Sequence, residues 1–328
     1  MNVYSASKEI KSLKRIELVS DNDLEVRFTE YLRQGQMPDA FLYIGEAGVR
    51  NWLTLDSSDD FPVATRLQDL LTKSIPELVE CIPSNSEVVS LGVGSGKKER
   101  LLLEALMQTG SPRYVAVDIS GLMVDAALVT AADLNVEKRG VVAFVEDLPL
   151  IREHWRSPVV LCLLGNNFSN YDPDFLLSLV RQQLTPGDLF LFDCHLLPPD
   201  DAEAEMGKEI IERIYCSRQN ALFNMGPLIQ RGMNPDDCIF HLELITVDSA
   251  AGPSIRTRKW LDITKDIAVS CGSGNVLLPA GSRIELGFTF KHTVPQVRCH
   301  LARNGFNEVK SFESQTGENL LVLARPVA

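Results

Sequence analysis

The sequence lacks the features that mark several large classes of protein. Its seven cysteines are widely scattered and never form a Cys-x-x-Cys pair, which argues against a structural zinc site and against a disulfide scaffold. The five histidines show no metal-ligand spacing, and no Ser-His-Asp set is evident. The first twenty residues have no signal-peptide core, and the apolar runs are too short to span a bilayer. We therefore predict a cytoplasmic protein with no membrane or metal partner.

Clustered positive charge is also lacking. The net charge is −12, and no basic stripe occurs along the chain. Nucleic-acid binding depends on clustered lysine and arginine, so we predict no nucleic-acid partner. What the chain does have is length and apolar content, with 328 residues of which 45% are hydrophobic. That is enough for one large domain or two unequal ones with full cores.

The middle of the chain alternates between two periodicities. Short apolar stretches such as "EVVSLGVG", "YVAVDIS", "GVVAFVEDL" and "PVVLCLLGNN" are separated by stretches with helical spacing. This alternation predicts βαβ units and a parallel sheet with helices on both faces. Upstream, we predict short helices over residues 8–20 and 23–32 and irregular structure over 35–62, where glycine, proline and acidic turn residues are frequent.

The rhythm breaks after residue 198. Interrupted helical stretches come first, strands follow from residue 239 to about 291, and a last helix precedes a closing hairpin. This change predicts a second unit inserted into the first. We expect a cofactor-binding domain of residues 61–198 plus 287–328, and a substrate-recognition domain of residues 1–60 plus 199–286.

A glycine-rich turn, "EVVSLGVGSGKKER", joins a predicted strand to a predicted helix. It is not a phosphate-binding P-loop, because Gly96-Lys97 is followed by a second lysine instead of serine or threonine. It is not the dinucleotide fingerprint, because Lys97 occupies the third glycine position. The remaining Gly-x-Gly-x-Gly pattern is similar to the first motif of class I S-adenosylmethionine (SAM)-dependent methyltransferases. A purely structural turn is the alternative.

Acidic residues end the next two strands. Asp118 is placed to accept hydrogen bonds from two ribose hydroxyls, unless it caps the following helix, a role that Ser120 could fill instead. Glu146 and Asp147 end the third strand, where a carboxylate suits the amino group of adenine. Because the carboxyl ends of parallel strands meet in one crevice, these features together predict a nucleoside cofactor without phosphate, namely SAM.

From about residue 87 to its end, the sequence resembles the histidine-specific N-α-methyltransferase family, which includes an ergothioneine-pathway enzyme and fungal amine methyltransferases. The stretches that carry the resemblance are "LGVGSGKKERLLLEAL", "YVAVDIS", "LLGNNFSNYDP", "LTPGDLFLFD", "ALFNMGPLIQRG" and "LLPAGSRIELGFTFKH". The resemblance implies an α/β class I methyltransferase fold, with a seven-stranded Rossmann-like sheet and an inserted α+β substrate domain. It further implies SAM-dependent methylation of the amine of an amino acid or an amino-acid-derived small molecule.

The resemblance also implies roles for particular residues. Asn170 would hold the amine and carboxylate of the substrate and so act in catalysis; a turn residue before the following Asp-Pro is the alternative. From the motifs and the resemblance together, the predicted cofactor-binding residues are Gly92, Gly94, Gly96, Lys98, Asp118, Ser120, Glu146, Asp147 and Gly165. The predicted substrate-binding residues are Asn170, Tyr43, Tyr215, Phe223, Asn224, Gly287, Phe288 and Thr289. For the tyrosines and phenylalanines, a place in the core is the alternative.

The departures from the family pattern concern the substrate. Gly287 stands where the histidine enzymes have a glutamate that binds imidazole, and Phe61 replaces a tyrosine. An imidazole would lose its hydrogen-bond acceptor, so we predict that histidine is not the substrate and that a less polar side chain is preferred. Two alternatives stay open: another small-molecule O- or N-methyltransferase, and a SAM-binding homologue that has lost catalysis.

Overall fold

The computed structural model of the chain describes residues 15–56, 63–197, 207–209, 211–212, 215–272 and 274–327. Phe61 lies outside these residues. The strands are β1 (Arg15–Glu17), β2 (Gln36–Met37), β3 (Glu87–Leu91), β4 (Arg113–Asp118), β5 (Glu137–Val142), β6 (Val159–Leu163), β7 (Leu189–His195), β8 (Cys238–Val247), β9 (Ser254–Ile263), β10 (Ile267–Cys271), β11 (Gly274–Leu278), β12 (Arg283–Leu286), β13 (Thr289–Lys291), β14 (Phe306–Glu313) and β15 (Asn319–Pro326). The α-helices with both ends described are α1 (Asp21–Arg33), α2 (Gly45–Asp56), α3 (Val63–Cys81), α4 (Lys97–Leu106), α5 (Gly121–Thr130), α6 (Leu148–Ile151), α7 (Pro173–Gln183), α8 (Arg218–Ile229) and α9 (Val294–Arg303).

The main sheet has eight strands in the order β1-β5-β4-β3-β6-β7-β15-β14. The strands from β1 to β7 in this order are parallel, whereas β15 is antiparallel to β7 and pairs with β14 in a hairpin. A parallel core reversed at β3, with connections through helices, is a Rossmann-like arrangement. The predicted α/β fold and the predicted closing hairpin are therefore confirmed.

The number of strands differs from the prediction by one. We predicted seven strands and a helix over residues 8–20, but Arg15–Glu17 forms an eighth strand, parallel to β5. Its alternation of exposed and half-buried residues suits the edge of a sheet, and the adjacent Leu18 N–H donates to the carbonyl of Val142 at 3.0 Å. Residues 15–17 thus form a strand through backbone pairing with β5, although their charged amphipathic pattern predicted a helix.

Residues 35–62 were predicted to be irregular, and this is wrong for their described part. Asp39–Tyr43 forms a 3₁₀ helix and α2 follows it directly. The glycines taken as breakers have other uses: Gly45 begins α2 with a positive φ of 73°, and a Cβ on Gly48 would lie 2.7 Å from the carbonyl oxygen of Leu42. Gly48 therefore permits close contact between this helix and the preceding turn.

The side chains of the central strands are buried on both faces of the sheet. All five residues of β3 are buried, and its alternate residues enter different apolar clusters: Val89 and Leu91 on one face, Val88 on the other. Such two-sided burial is why these strands appear in the sequence as continuous apolar runs. The rigid sheet fixes the carboxyl ends of its strands, and with them the loops that follow.

A second, five-stranded sheet is built around β9. One edge of β9 pairs with β8, and its other edge pairs first with β13 and then with β12, so Gly287 and Phe288 lie at the break between two successive strands. The core of this α+β part combines the sheet with residues of α1, α2 and α8. The division into two domains stays a prediction. β13, assigned to the cofactor domain, pairs with the second sheet, and β1, assigned to the substrate domain, joins the main sheet.

Candidate functional site

A crevice opens at the carboxyl ends of β3, β4 and β6. Its opposite wall is made by the 3₁₀ helix Asp39–Tyr43 and by Trp52 of α2. Eight of the residues predicted to bind cofactor or substrate line it, namely Gly92, Gly94, Lys98, Asp118, Glu146, Gly165, Asn170 and Tyr43. The carboxyl ends of these strands and the segment from Pro38 to Trp52 therefore line one crevice.

The three glycines of the turn after β3 have two different functions. All three have positive φ, 63° at Gly92, 56° at Gly94 and 73° at Gly96. Gly92 and Gly94 line the crevice, whereas Gly96 lies against α5, where a Cβ would come within 2.8 Å of the Cα of Ala127. Two glycines thus let a ligand approach the backbone, and the third lets helices α4 and α5 pack closely.

Asp118 is held at the end of β4 by backbone donors. Its Oδ2 accepts from the N–H of Gly94 at 3.1 Å, and its Oδ1 accepts from the N–H of Ser120 at 3.0 Å. Burial raises the pKa of Asp118 to about 6, and these hydrogen bonds partly oppose that rise. The side chain of Ser120 does not cap α5. A carboxylate has about four acceptor positions, so Asp118 retains capacity for donors in the crevice.

Glu146 and Asp147 have different surroundings. Glu146 lines the crevice at an exposed position, and desolvation by the surrounding protein atoms raises its pKa. Asp147 is not among the lining residues: its Oδ2 accepts from the N–H of Phe144 at 3.3 Å, and Arg27 lies 4.0 Å from its Oδ1. The geometry therefore favours Glu146 as the acceptor at the end of the third strand.

The loop after β6 is shaped by a carboxylate that the sequence analysis missed. Asp193 of β7 accepts from the N–H groups of Gly165 at 2.7 Å and Asn166 at 2.9 Å, and both of these residues have positive φ. Burial raises the pKa of Asp193 to about 6, while the nearby Lys98 opposes this rise. The ammonium of Lys98 lies 3.5 Å from the position that a Cβ on Gly165 would take, so a cation borders the crevice here.

Asn167 connects this loop to the glycine turn. Its Nδ2 donates to the carbonyl of Gly92 at 3.2 Å and to that of Leu164 at 2.8 Å. A Cβ on Gly92 would lie 2.8 Å from the same Nδ2 atom. Asn167 was also missed, although it lies in the "GNNFSN" stretch that indicated Asn170.

Asn170 ends the 3₁₀ helix Asn167–Asn170 and lines the crevice. Its Oδ1 accepts from Oγ1 of Thr289 at 3.0 Å, and the N–H of Thr289 donates to Oγ1 of Thr257 on β9 at 2.8 Å. This hydrogen bond to the second sheet fixes the orientation of the amide. Two of the predicted substrate residues, Asn170 and Thr289, are thus brought together although they lie far apart in the sequence.

The space beside Gly287 contains a carboxylate. A Cβ at this position would lie only 2.1 Å from Cγ of Asp39, which lines the crevice. The expectation that the loss of a glutamate at 287 leaves this region without an acceptor is therefore wrong. The glycine makes room for an acid that comes from a different segment of the chain.

Phe288 does not line the crevice. Its ring packs 4.7 Å from the guanidinium of Arg256 and 5.5 Å from the ring of Phe290, and it is not among the lining residues. Successive side chains of an extended segment point to opposite faces, so Thr289 and Phe288 cannot both face Asn170. The predicted role of Phe288 in substrate binding therefore has no support in this geometry.

Three aromatic side chains form one wall. The ring of Tyr43 lies 5.3 Å from that of Trp52 and 5.9 Å from that of Phe223, in edge-to-face contacts. Tyr43 and Trp52 line the crevice, and Phe223 lies behind them. Trp52 was not predicted, although a tryptophan after a glycine-rich stretch is an aromatic signal that sequence reading can detect.

Tyr215 and Asn224 are both buried and do not line the crevice. Nζ of Lys291 lies 3.3 Å from the hydroxyl of Tyr215 and 3.0 Å from Nδ1 of His195, and Lys291 is 1% exposed. No acidic side chain in the described part of the chain pairs with Lys291. Burial lowers the pKa of Lys291 to about 7.

Lys291→Met provides a test of this burial. Because the native pKa of Lys291 is below the unfolded value of 10.5, the unfolded chain binds more protons between those two pH values. The free energy of unfolding should therefore rise with pH above 7, by up to about 1.4 kcal/mol per pH unit from this group. Urea unfolding of the parent and Lys291→Met at pH 7 and pH 9 should show a smaller rise in the variant. An equal rise in the free energy of unfolding of the two proteins would contradict the burial of an amine without an acidic partner. Lys97→Met, at an exposed lysine, is the control.

Within the described residues, no cluster of three or more His, Cys, Asp or Glu side chains is arranged to hold a metal ion. Helices in the same residue ranges are all too short or too polar to cross a bilayer.

A protein family and several known proteins are similar to this chain in sequence. A family model described as histidine-specific methyltransferase, SAM-dependent, matches residues 24–326. An N-methyltransferase of Aspergillus fumigatus, fsqC, is 27% identical over 161 residues, which are 46% of this chain and 44% of the relative. The 4-dimethylallyltryptophan N-methyltransferase ifgB of Penicillium roqueforti is 22% identical over 298 residues, covering 84% of this chain and 85% of the relative. The match thus spans less than half of the first relative and most of the second.

Solved structures are similar at a lower level. An S-adenosylmethionine-dependent methyltransferase from Clostridium acetobutylicum is 12% identical, with a TM-score of 0.41, and the match covers 80% of this chain and 92% of that one. A possible exported protein from Bordetella parapertussis is 14% identical, with a TM-score of 0.49, covering 99% and 94%.

Proposed function

Because the chain belongs to the family of histidine-specific, SAM-dependent methyltransferases, we propose that it methylates the amine of an amino acid or of an amino-acid-derived small molecule other than histidine. Membership of the family confirms the predicted enzyme class and the predicted cofactor. The observation that supports the proposed reaction is the position of Asn170, whose amide lines the same crevice as the glycine turn and Asp118.

The residues that line the crevice support the proposal that it binds SAM. We propose that Gly92 and Gly94 admit its amino-acid part to the backbone, and that Lys98 supplies a cation for its carboxylate. Asp118 accepts from the ribose hydroxyls and Glu146 from the adenine amine. Asp118 is buried and Glu146 is more exposed, and desolvation raises the pKa of each, so donors from a ligand would stabilise their charged forms. When bound, SAM supplies a methyl group on an activated sulfonium.

Positioning is the main task left to the protein. A carbonyl oxygen has two lone pairs, and Thr289 uses one of those on Oδ1 of Asn170. The second lone pair accepts an N–H of the substrate amine and so directs the nitrogen lone pair toward the methyl group. Asn170 carries no charge, so this contact does not favour the protonated amine as a carboxylate would.

The preference against histidine is supported by the size of the aromatic wall and by the relatives. Trp52 and Tyr43 present an apolar surface larger than an imidazole ring. One relative that matches most of the chain is named for a tryptophan derivative. We also propose, from the net charge of −12, the scattered cysteines and the apolar pattern, that the protein is cytoplasmic and has no nucleic-acid, membrane or metal partner.

A competition assay tests the function. The protein is incubated with SAM and equal amounts of histidine, aromatic and aliphatic amino acids, and the products are identified by mass spectrometry. We expect methylation on the amine of an aromatic amino acid or derivative, with histidine a poor substrate. Efficient trimethylation of histidine would contradict the proposed specificity. Methylation on oxygen would favour the alternative enzyme class, and binding of SAM without transfer to any amine would favour an inactive homologue.

A further inference from the structure

Asp39 lies at one end of a hydrogen-bond network in which Lys259 donates both to Asp39 and to Asn224. Nδ2 of Asn220 donates to the carbonyl of Tyr215 at 2.6 Å, and Nδ2 of Asn224 donates to the carbonyl of Asn220 at 2.8 Å. The oxygen of Asn224 then accepts from Nζ of Lys259 at 3.1 Å, and the same ammonium lies 3.1 and 3.3 Å from the two carboxylate oxygens of Asp39. Each of these hydrogen-bond donors therefore has a defined acceptor.

Asp39 is the member of this network that both lines the crevice and keeps hydrogen-bonding capacity. The ammonium of Lys259 has three donors, and its three acceptors are the two oxygens of Asp39 and the oxygen of Asn224. The carboxylate of Asp39 accepts from Lys259 alone among the described residues and has about two more acceptor positions. Because Asp39 lines the crevice, those positions are available to a ligand. Its side chain is 17% exposed and that of Lys259 is 6% exposed, so the pair is largely shielded from water.

The separation between Asp39 and Asn170, which we assign to the substrate amine, is limited by the spacing of the two residues that they contact. Asp39 lies against Gly287, and Asn170 contacts Thr289, two residues further along. Two residues span at most about 7 Å, so one small molecule can reach both side chains. The rings of Tyr43 and Trp52, on the same wall as Asp39, provide an apolar surface for a flat group at that end.

We propose that Asp39 is a specificity-determining residue that accepts a hydrogen bond from a ring N–H of the substrate, and that the preferred substrate is an aromatic amine of the indole type. A neutral imidazole presents one donor and one acceptor, and no donor of Lys259 is left for the acceptor nitrogen. An indole presents a donor only, which matches a site with a free acceptor and a large aromatic wall. This inference rests on the proposed N-methyltransferase function.

The test compares tryptophan with two analogues of nearly the same shape that lack the N–H, 1-methyltryptophan and β-(3-benzothienyl)alanine. We expect the parent protein to favour tryptophan in kcat/KM by at least about tenfold, because the analogues leave the carboxylate without a donor. Asp39→Ala should reduce that preference to within about threefold. Calorimetric binding of the same three compounds in the presence of S-adenosylhomocysteine should show the same ranking without turnover.

Gly287→Ala is a second variant that keeps the acid. Its Cβ would lie 2.1 Å from Cγ of Asp39 and must displace the carboxylate, so it should lower the preference as Asp39→Ala does. Asp262→Asn, at a carboxylate outside the crevice, is the matched control and should leave the preference unchanged. Equal use of all three compounds by the parent protein, or an unchanged preference in both variants, would overturn the role of Asp39 while leaving N-methylation intact. Failure to methylate any amine despite SAM binding would instead contradict the proposed function, and with it this inference.

Discussion

Asn170→Ala should retain SAM binding and lose methyl transfer, with kcat/KM reduced by at least about a hundredfold. The reason is that the amide is the one uncharged acceptor we assign to the substrate amine, and misplacement of a nucleophile by about 1 Å costs on the order of 10²-fold in rate. Isothermal titration of S-adenosylhomocysteine and steady-state assays with the best amine substrate measure the two effects separately. Transfer near the parent rate would show that Asn170 is only a turn residue.

Asn167→Ala is the matched control, because it removes the same amide from the same 3₁₀ helix. Asn167 holds the carbonyl of Gly92 in the glycine turn, whereas Asn170 accepts the hydrogen bond from Thr289. We therefore expect Asn167→Ala to weaken cofactor binding and Asn170→Ala to leave it unchanged. The opposite pattern would mean that the roles of the two asparagines are exchanged.

The local patterns in the sequence were sufficient to predict the central parallel strands of the main sheet and several residues that line the crevice at their carboxyl ends. Strand, glycine turn and helix follow each other along the chain, and the acid that ends the next strand reaches the same crevice by the rules of parallel sheets. Gly92, Asp118 and Glu146 were identified in this way, and all three line the crevice. These positions are determined by secondary structure close to them in sequence.

The substrate side could not be predicted in the same way, because its contacts join distant segments. Asp39 precedes Gly287 by 248 residues, and nothing local to either residue shows that the acid fills the space left by the glycine. Lys259 comes from a third segment, on β9. An alignment to a family pattern records what is missing at one position, whereas only the packed structure shows what replaces it.

Asp118→Ala should lower the affinity for S-adenosylhomocysteine by roughly 1.5–3 kcal/mol, or about 10- to 150-fold in Kd. The carboxylate is proposed to accept from the ribose hydroxyls, and hydrogen bonds to a charged acceptor are among the stronger ones in proteins. Its pKa of about 6 adds a second expectation. Protonation removes the charge of the acceptor, so the affinity of the parent protein should fall as the pH is lowered through 6. Asp118→Asn should show a weaker affinity with a smaller pH dependence.

The neighbouring acids make this prediction specific. Asp147→Ala removes a carboxylate that hydrogen-bonds within its own turn, so it should leave the affinity nearly unchanged, whereas Glu146→Ala should weaken binding. Isothermal titration of the three alanine variants between pH 5 and pH 8, with NAD and ATP as competing ligands, measures all of these effects. Tight binding of NAD, or an affinity that Asp118→Ala does not change, would show that the crevice holds a different ligand. Because a buried carboxylate with a raised pKa is costly to keep ionised, donors supplied by the cofactor are the simplest reason for an acid at the end of β4.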